Sequence, residues 1–529
     1  MLDGSADVQN LKVNGVGAKG ASVAITADKI ENLSLNATGK DSFLKDITSK
    51  DVSVKGNANI TLEVKAGVNS LDASASSGKV SADLKAADVK TVKGGSGDDK
   101  FVVGTKVANV NVDGGAGNDE LEINGAGTLK PTVANVEKVT LDATGALTLA
   151  MDNAKDVSEL NIKGDKGAVT VVNSNISSLN FLSTAEGTNA VTIDSENLAT
   201  INYKAGTEAA EIKGNLTATK ATNLTVNTDA LANITSTGAT ITANSATSMS
   251  LNINAEKTAQ SLKLSATKLK DLAVVNKSVD GFTIKGDANS LDALSNLNVT
   301  TDGKFSFDTI TGLAGVSTVT LSGANDKSAV TLGDLGSDKV TQGIALNASG
   351  LKGGLEVGNT VTKGSININL NAMSGDAKLG AANSITDNLS ISVNGVEGKF
   401  ETQALKAAAS TTVSLTNIKG ASTIASLNGA TTSLSIENTG DVTISNASSA
   451  LEGDFSINAN NANGLTTGVI TANKGAISIN ANGVSAISVG NLSAKSSITL
   501  NAGDASTSVK AGDIAADSVN VDLSKVLGT

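Results

Sequence analysis

Two nine-residue stretches of this chain, Gly94-Gly95-Ser96-Gly97-Asp98-Asp99-Lys100-Phe101-Val102 and Gly114-Gly115-Ala116-Gly117-Asn118-Asp119-Glu120-Leu121-Glu122, share the pattern G-G-x-G-x-D-x-U-x, where U is a large apolar residue. The residue types suit one kind of chemistry. Glycines let the backbone turn with its carbonyl oxygens toward a hard cation, the aspartate adds a carboxylate, and the apolar residue leads into a short buried strand. The candidate Ca²⁺ loops are therefore formed by Gly94, Gly95, Gly97, Asp98 and Asp99, and by Gly114, Gly115, Gly117, Asn118 and Asp119, with Phe101 and Leu121 anchoring them to a core. Such a metal orders the fold and implies no open catalytic position. The bland reading is two hairpin turns in a Gly- and Asp-rich chain. Against it stand two full matches in tandem, each preceded by strand residues (Val89 and Val92; Val110 and Val112). A worn copy follows at Gly333 to Val340, with Asp334 in place of the second glycine.

The elements that would position these loops are short strands. A brief alternating unit returns along the first three fifths of the chain, at Leu11/Val13, Leu33/Leu35, Val52/Val54, Leu71/Ala73, Val110/Val112, Val139/Leu141, Leu160/Ile162 and Leu179/Phe181. It continues to Val319/Leu321. Alternation with period two argues for strands with one buried face, and a return every ~20 to 22 residues is what one coil of a β-solenoid requires. The two glycine motifs begin 20 residues apart, which is one coil, so their loops are expected to stack on one edge. The predicted fold is an all-β, right-handed parallel β-solenoid. Its first part covers residues 1–340 and holds the calcium repeats at 94–122; residues 341–529 continue it or form a second β domain. In that later part Thr, Ser and Asn alternate cleanly with Ile, Leu and Val, as in Ser365 to Leu370 and Ser433 to Ile436, giving a wet outer face.

Composition narrows the function further. The 529 residues include no Cys and no His, and every one of the 41 basic residues is Lys. A Ser-His-Asp triad, a thiol nucleophile and a nitrogen or sulfur zinc site are thereby excluded, as is a bidentate arginine clamp for phosphate. Paired acids such as Glu120 and Glu122 match glycosidase chemistry only by count, because a chain with no Trp lacks the aromatic platforms of a sugar cleft. The chain reads as no enzyme. A net charge of -11 and the lack of basic stripes argue against nucleic acid. No stretch approaches the ~18 apolar residues of a transmembrane segment, and Met1 to Asp7 has neither the basic start nor the apolar run of an export signal.

Together these residues resemble a family. The motifs at Gly94 to Val102 and Gly114 to Glu122 look like the calcium repeats of RTX-type S-layer (surface-array) proteins of Gram-negative bacteria, Campylobacter-like in particular. Strand-turn phrases such as Val139 to Gly145 and Ala345 to Gly350, and the acidic, sulfur-poor composition, add to the likeness. The resemblance implies type I secretion through an uncleaved carboxyl-terminal signal, an extracellular place on the cell surface, lipopolysaccharide as an anchoring partner and a calcium-dependent two-dimensional lattice of self-associated copies. The function expected is a structural S-layer subunit; the alternative is a secreted RTX adhesin whose solenoid presents a receptor-binding tip.

Overall fold

A computed structural model describes residues 6–27, 29–104, 109–182, 189–204, 210–212, 214–229, 232–234, 239–254, 259–286, 290–309, 313–323, 325–451, 453–503, 508–524 and 526. The chain forms two compact units, Met1–Ala246 and Thr247–Thr529. In both, all regular secondary structure among the described residues is strand. Among the described residues every ladder between these strands is parallel, and each residue pairs with one about a coil later in the sequence; that partner lies in the next strand only where a long strand fills most of a coil, as for Lys138–Ala150 with Glu159–Asp165 and Thr431–Leu451 with Phe455–Thr467. Each unit is thus a parallel β-solenoid, with hydrogen bonds running from coil to coil along the stack instead of closing a barrel.

The first unit shows why these sequences make strands. In Asn32–Ala37 (NLSLNA) the alternate residues Leu33, Leu35 and Ala37 are at most 1% exposed, while the residues between them are half-buried. Parallel in-register pairing then sets each inward residue on its counterpart one coil away. Leu33 lies on Val52, Val52 on Leu71, Leu71 on Val92, Val92 on Val112, and Val112 on Val133. A second face stacks Leu62, Ala82, Phe101, Leu121, Val139 and Leu160 in the same way, and the small Ala82 beside Phe101 leaves room for the ring. Of the residues singled out by alternation, Leu11 and Phe181 are only partly buried. Leu11 belongs to Val8–Val13, whose one ladder partner among the described residues is Asn32–Ala37.

In the first unit a new face starts where the first sheet ends, at Thr132–Ala134. The long strand Glu120–Leu129 pairs with Lys138–Ala150 in two registers, shifting between Gly125 and Gly127. Both glycines have positive φ, 145° and 111°, a conformation that a residue with a Cβ rarely adopts. The strand turns a corner there without ending, and its far half starts the added face.

The second unit repeats the arrangement with cleaner columns. Ile368, Ile391, Val413, Leu434, Ile457, Ile479, Leu500 and Val521 stack in register through eight successive coils. Ladders pass residue 340 without a break, since Thr318–Gly323 pairs with Ile344–Ser349 and Ala329–Leu332 with Gly354–Val357. The scarce aromatics also stack: Phe282 pairs with Phe305 at a ring separation of 6.3 Å, and in the first unit Phe181 lies on Tyr203 at 4.7 Å.

Removing a core side chain from such a column exposes its neighbours above and below. Ile457 is fully buried and Ser435 faces outward. Ile457→Ala is expected to lower unfolding free energy by about 2–5 kcal/mol, whereas Ser435→Ala changes it by about 0.5 kcal/mol or less. Urea unfolding of the two variants beside the parent checks this.

Candidate functional site

The two glycine loops meet as their spacing predicts. Lys100–Gly104 pairs with Glu120–Leu129 so that Lys100 faces Glu120 and Phe101 faces Leu121, both of the latter being completely buried. Twenty residues separate the copies, and the register is unbroken through all five pairs. The glycines are there because backbone stacks on backbone. A Cβ at Gly94 would lie 1.8 Å from the carbonyl oxygen of Gly114, and one at Gly114 would lie 1.8 Å from that of Asn135. Gly95 and Gly97 likewise abut the preceding coil, and Gly115 and Gly117 have positive φ. Asp98 and Asn118 are exposed at the loop surface, joined by a 2.9 Å bond from the Asn118 amide to Asp98 Oδ1.

Asp99 and Asp119 turn inward, each only 1% exposed. Asp99 accepts the Val80 amide on Oδ1 and the Gly95 amide on Oδ2, both at 2.7 Å. Asp119 Oδ1 accepts the Asp99 amide at 2.6 Å, and the Asp119 amide in turn donates to Glu137 Oε2 at 2.8 Å. Three successive coils thus place one carboxylate each, and each carboxylate caps an amide of the coil before it. The second oxygen of Asp119, Oδ2, is buried and has no hydrogen-bond partner.

Like charges stacked at coil spacing are unfavourable, and the effect falls on Asp119. Burial pushes its carboxyl up to about 7, with the charges of Asp99, Glu137 and Asp98 adding to the rise against the amide of Asp99. Asp99 is raised too, by burial, although the amides of Gly95 and Val80 and the charge of Lys79 oppose it. The neighbouring column behaves differently. Lys100, Glu120, Lys138 and Glu159 stand in register and alternate in sign. Two residues along the strand from Glu120, the buried Glu122 is bridged by Lys100 at 2.8 Å and Lys163 at 2.7 Å. Burial raises the Glu122 carboxyl, but the hydrogen bonds and charges of the two lysines outweigh it and hold the group below the ordinary range.

These columns line a groove of about 520 Å³ that includes Asp98, Asp99, Asn118, Asp119, Glu137 and Glu159. Sequence reasoning missed Glu137, Lys79, Lys138 and Glu159. Glu137 follows Asp119 by 18 residues, one short coil, yet no glycine motif marks it. In the worn copy, Asp338 is exposed, and Asp334 Oδ1 instead accepts the Asn359 amide of the next coil at 2.7 Å. Its acids do not reproduce the inward carboxylates of the first two loops.

As a metal site the corner is partly furnished. Every donor is oxygen, which suits a hard cation, and the orphaned Asp119 Oδ2 is a ready ligand. Both oxygens of Asp99 are already engaged by amides, and the Gly95 carbonyl accepts the Ala116 amide at 2.8 Å. Among the described residues no group of three or more acids is placed to hold a metal ion by itself.

The two buried acids predict opposite pH responses in metal-free protein. The Asp119 carboxyl is raised above its unfolded value of 3.8, so its ionisation opposes folding: stability falls as pH rises from about 4 to about 7 and stays low above that. Asp119→Asn keeps an acceptor for the Asp99 amide and is expected to be more stable than the parent at pH 8, the difference vanishing toward pH 4. Glu122 is lowered below 4.5, so its contribution is present at neutral pH and lost as pH falls through its folded value; Glu122→Gln is expected to destabilise at pH 8. Thermal melts of both variants from pH 4 to 8 in chelator check the two signs.

No protein-family model matches the chain, and neither a curated protein nor a solved structure does.

Proposed function

We propose that the chain is a non-catalytic structural subunit whose calcium-ordered solenoid self-assembles into a surface layer outside a Gram-negative cell. The observation that carries this reading is the stack of carboxylates at Asp99, Asp119 and Glu137, with Asp119 Oδ2 buried and unpartnered. A divalent cation at this corner relieves the repulsion that the fold itself creates. With Asp119 Oδ2 the one fully buried carboxylate oxygen left unpartnered among the described residues, calcium draws most of its six to eight oxygens from the exposed acids, loop carbonyls and water, which points to a weak site. Sites with dissociation constants of roughly 10⁻⁴ to 10⁻³ M fill in extracellular fluid and stay empty in a cytosol. Asp98, Asp99, Asn118 and Asp119, with Glu137, are the residues that would hold the ion.

Assembly follows from charge. At a net charge of -11, copies repel one another until cations neutralise part of the acid. The absence of His, Cys and Arg supports a role without catalysis, and a rigid stack of short strands suits a tiling element.

Calcium is expected to raise the melting temperature of the parent in keeping with about 1–2 kcal/mol of stabilisation at ten times the dissociation constant, and to leave Asp119→Ala unchanged. Electron microscopy at matched concentration is expected to show ordered sheets with calcium and dispersed particles after chelation. Dispersed particles under both conditions, with no shift in melting, would overturn the reading.

A further inference from the structure

Within the second unit, ten successive strands from Asn296–Thr301 to Ser497–Asn501 form one continuous parallel face. Its outward positions, the residues alternating with the buried ones up to the corner, are all Asn, Ser or Thr except Ala345 and Glu437. Asn298, Thr320, Asn347, Asn369, Ser392 and Ser414 make up the first part of the middle column. None of the outward residues is buried. In a chain with 18% charged residues, one carboxylate over ten coils is a marked depletion. The adjacent face of the same unit carries Lys285, Asp308, Glu356, Lys378 and Glu401 at outward positions.

The face is also pre-ordered. Asn369 donates its side-chain amide to Asn347 Oδ1 at 2.9 Å, and Asn480 donates to Asn458 at 3.1 Å. Along its border runs an amide ladder in which Asn394 donates to Asn371, Asn417 to Asn394, Asn438 to Asn417 and Asn461 to Asn438, at 3.3–3.4 Å. Side chains already held in one conformation lose less entropy when a partner arrives.

We infer that this uncharged face is a docking surface for the same face of a second copy of the chain, packed sheet against sheet about a two-fold axis. The inference rests on the self-assembly reading and names its interface. Three features favour a second copy. Coils repeat at ~4.8 Å, and only a partner with the same repeat stays in step over ten of them. Asn, Ser and Thr both donate and accept, so the surface is complementary to itself. Two copies of an acidic chain meet here with almost no like charge between them. The area suffices: ten coils at ~4.8 Å by a strand length of ~17 Å gives about 800 Å² per copy, the size of a standard stable interface.

The test places charge on this face. Ser392→Glu/Ser435→Glu puts two carboxylates at outward positions two strands apart, and Thr331→Glu/Thr466→Glu puts the same charge on the adjacent face. Sedimentation velocity in calcium is expected to show at least tenfold weaker association for the first variant and parent-like association for the second. Mixing the first with Ser392→Lys/Ser435→Lys is expected to restore association, which a merely misfolded variant would not do. If the parent associates and neither charged variant of the face weakens it, the interface falls and the self-assembly reading stands. A parent that stays monomeric with and without calcium overturns both. Retention of the monomer on an insoluble neutral polysaccharide, lost in the Glu variant, would assign the face to a glycan and overturn the second copy.

Discussion

In-register parallel stacking is the constraint from which the rest of this structure follows. Each strand residue has its counterpart about 4.8 Å above and below, so whatever the sequence places at a coil position is set against the residues at the same position in the neighbouring coils. For aliphatic side chains the result is favourable burial, as in the column from Ile368 to Leu500. For asparagine it is a ladder of side-chain amides, as from Asn371 to Asn461. For glycine it is a backbone approach so close that no other residue fits, as at Gly94 and Gly114. For carboxylates it is repulsion, and the chain handles repulsion in two ways. The column through Lys100, Glu120, Lys138 and Glu159 alternates in sign; the one through Asp99, Asp119 and Glu137 does not, and there backbone amides take the charge.

Much of the fold was legible because the inward columns depend on period two and coil length alone. Leu33, Val52 and Leu71 announce their places by alternation and return, with no knowledge of the corners required. Phe101 and Leu121 were legible for the same reason, as the apolar ends of matching motifs. The corners were harder. Coils pair at offsets from 17 residues, as for Ile47 with Val64, to 27, as for Thr318 with Ala345, so a fixed period loses its phase after a few turns.

The candidate site was legible only in part. Glycine motifs locate the loops but do not say which way a carboxylate points. Asp99 turns toward the amides of Gly95 and Val80 because those groups, buried by the adjacent coil, need acceptors. Val80 lies a coil earlier in the sequence, and nothing in the motif refers to it. Glu137 joins the ladder through a coil of 18 residues that carries no glycine signature. Composition told still less about the outer faces: 18% charged residues gives an average, whereas the ladder sorts those charges so that one face of the second unit has almost none.

That sorting leaves the excess of negative charge in one place and its absence in another. Proton and cation are alternative answers to the same excess of negative charge at Asp119. The group lies among Asp99, Glu137 and Asp98, and its carboxyl is pushed up to about 7 by burial first and by those charges second. At lower pH a proton satisfies it; at neutral pH and above, a divalent ion does, in the proposed reading, and must displace whatever proton remains. The neutral Asn, Ser and Thr face lacks any such group except Glu437, so contact there is nearly independent of pH. In the proposed reading, ordering and association are separate: the acidic corner of the first unit would respond to the surroundings, while the uncharged face of the second would meet another copy with little charge left to titrate.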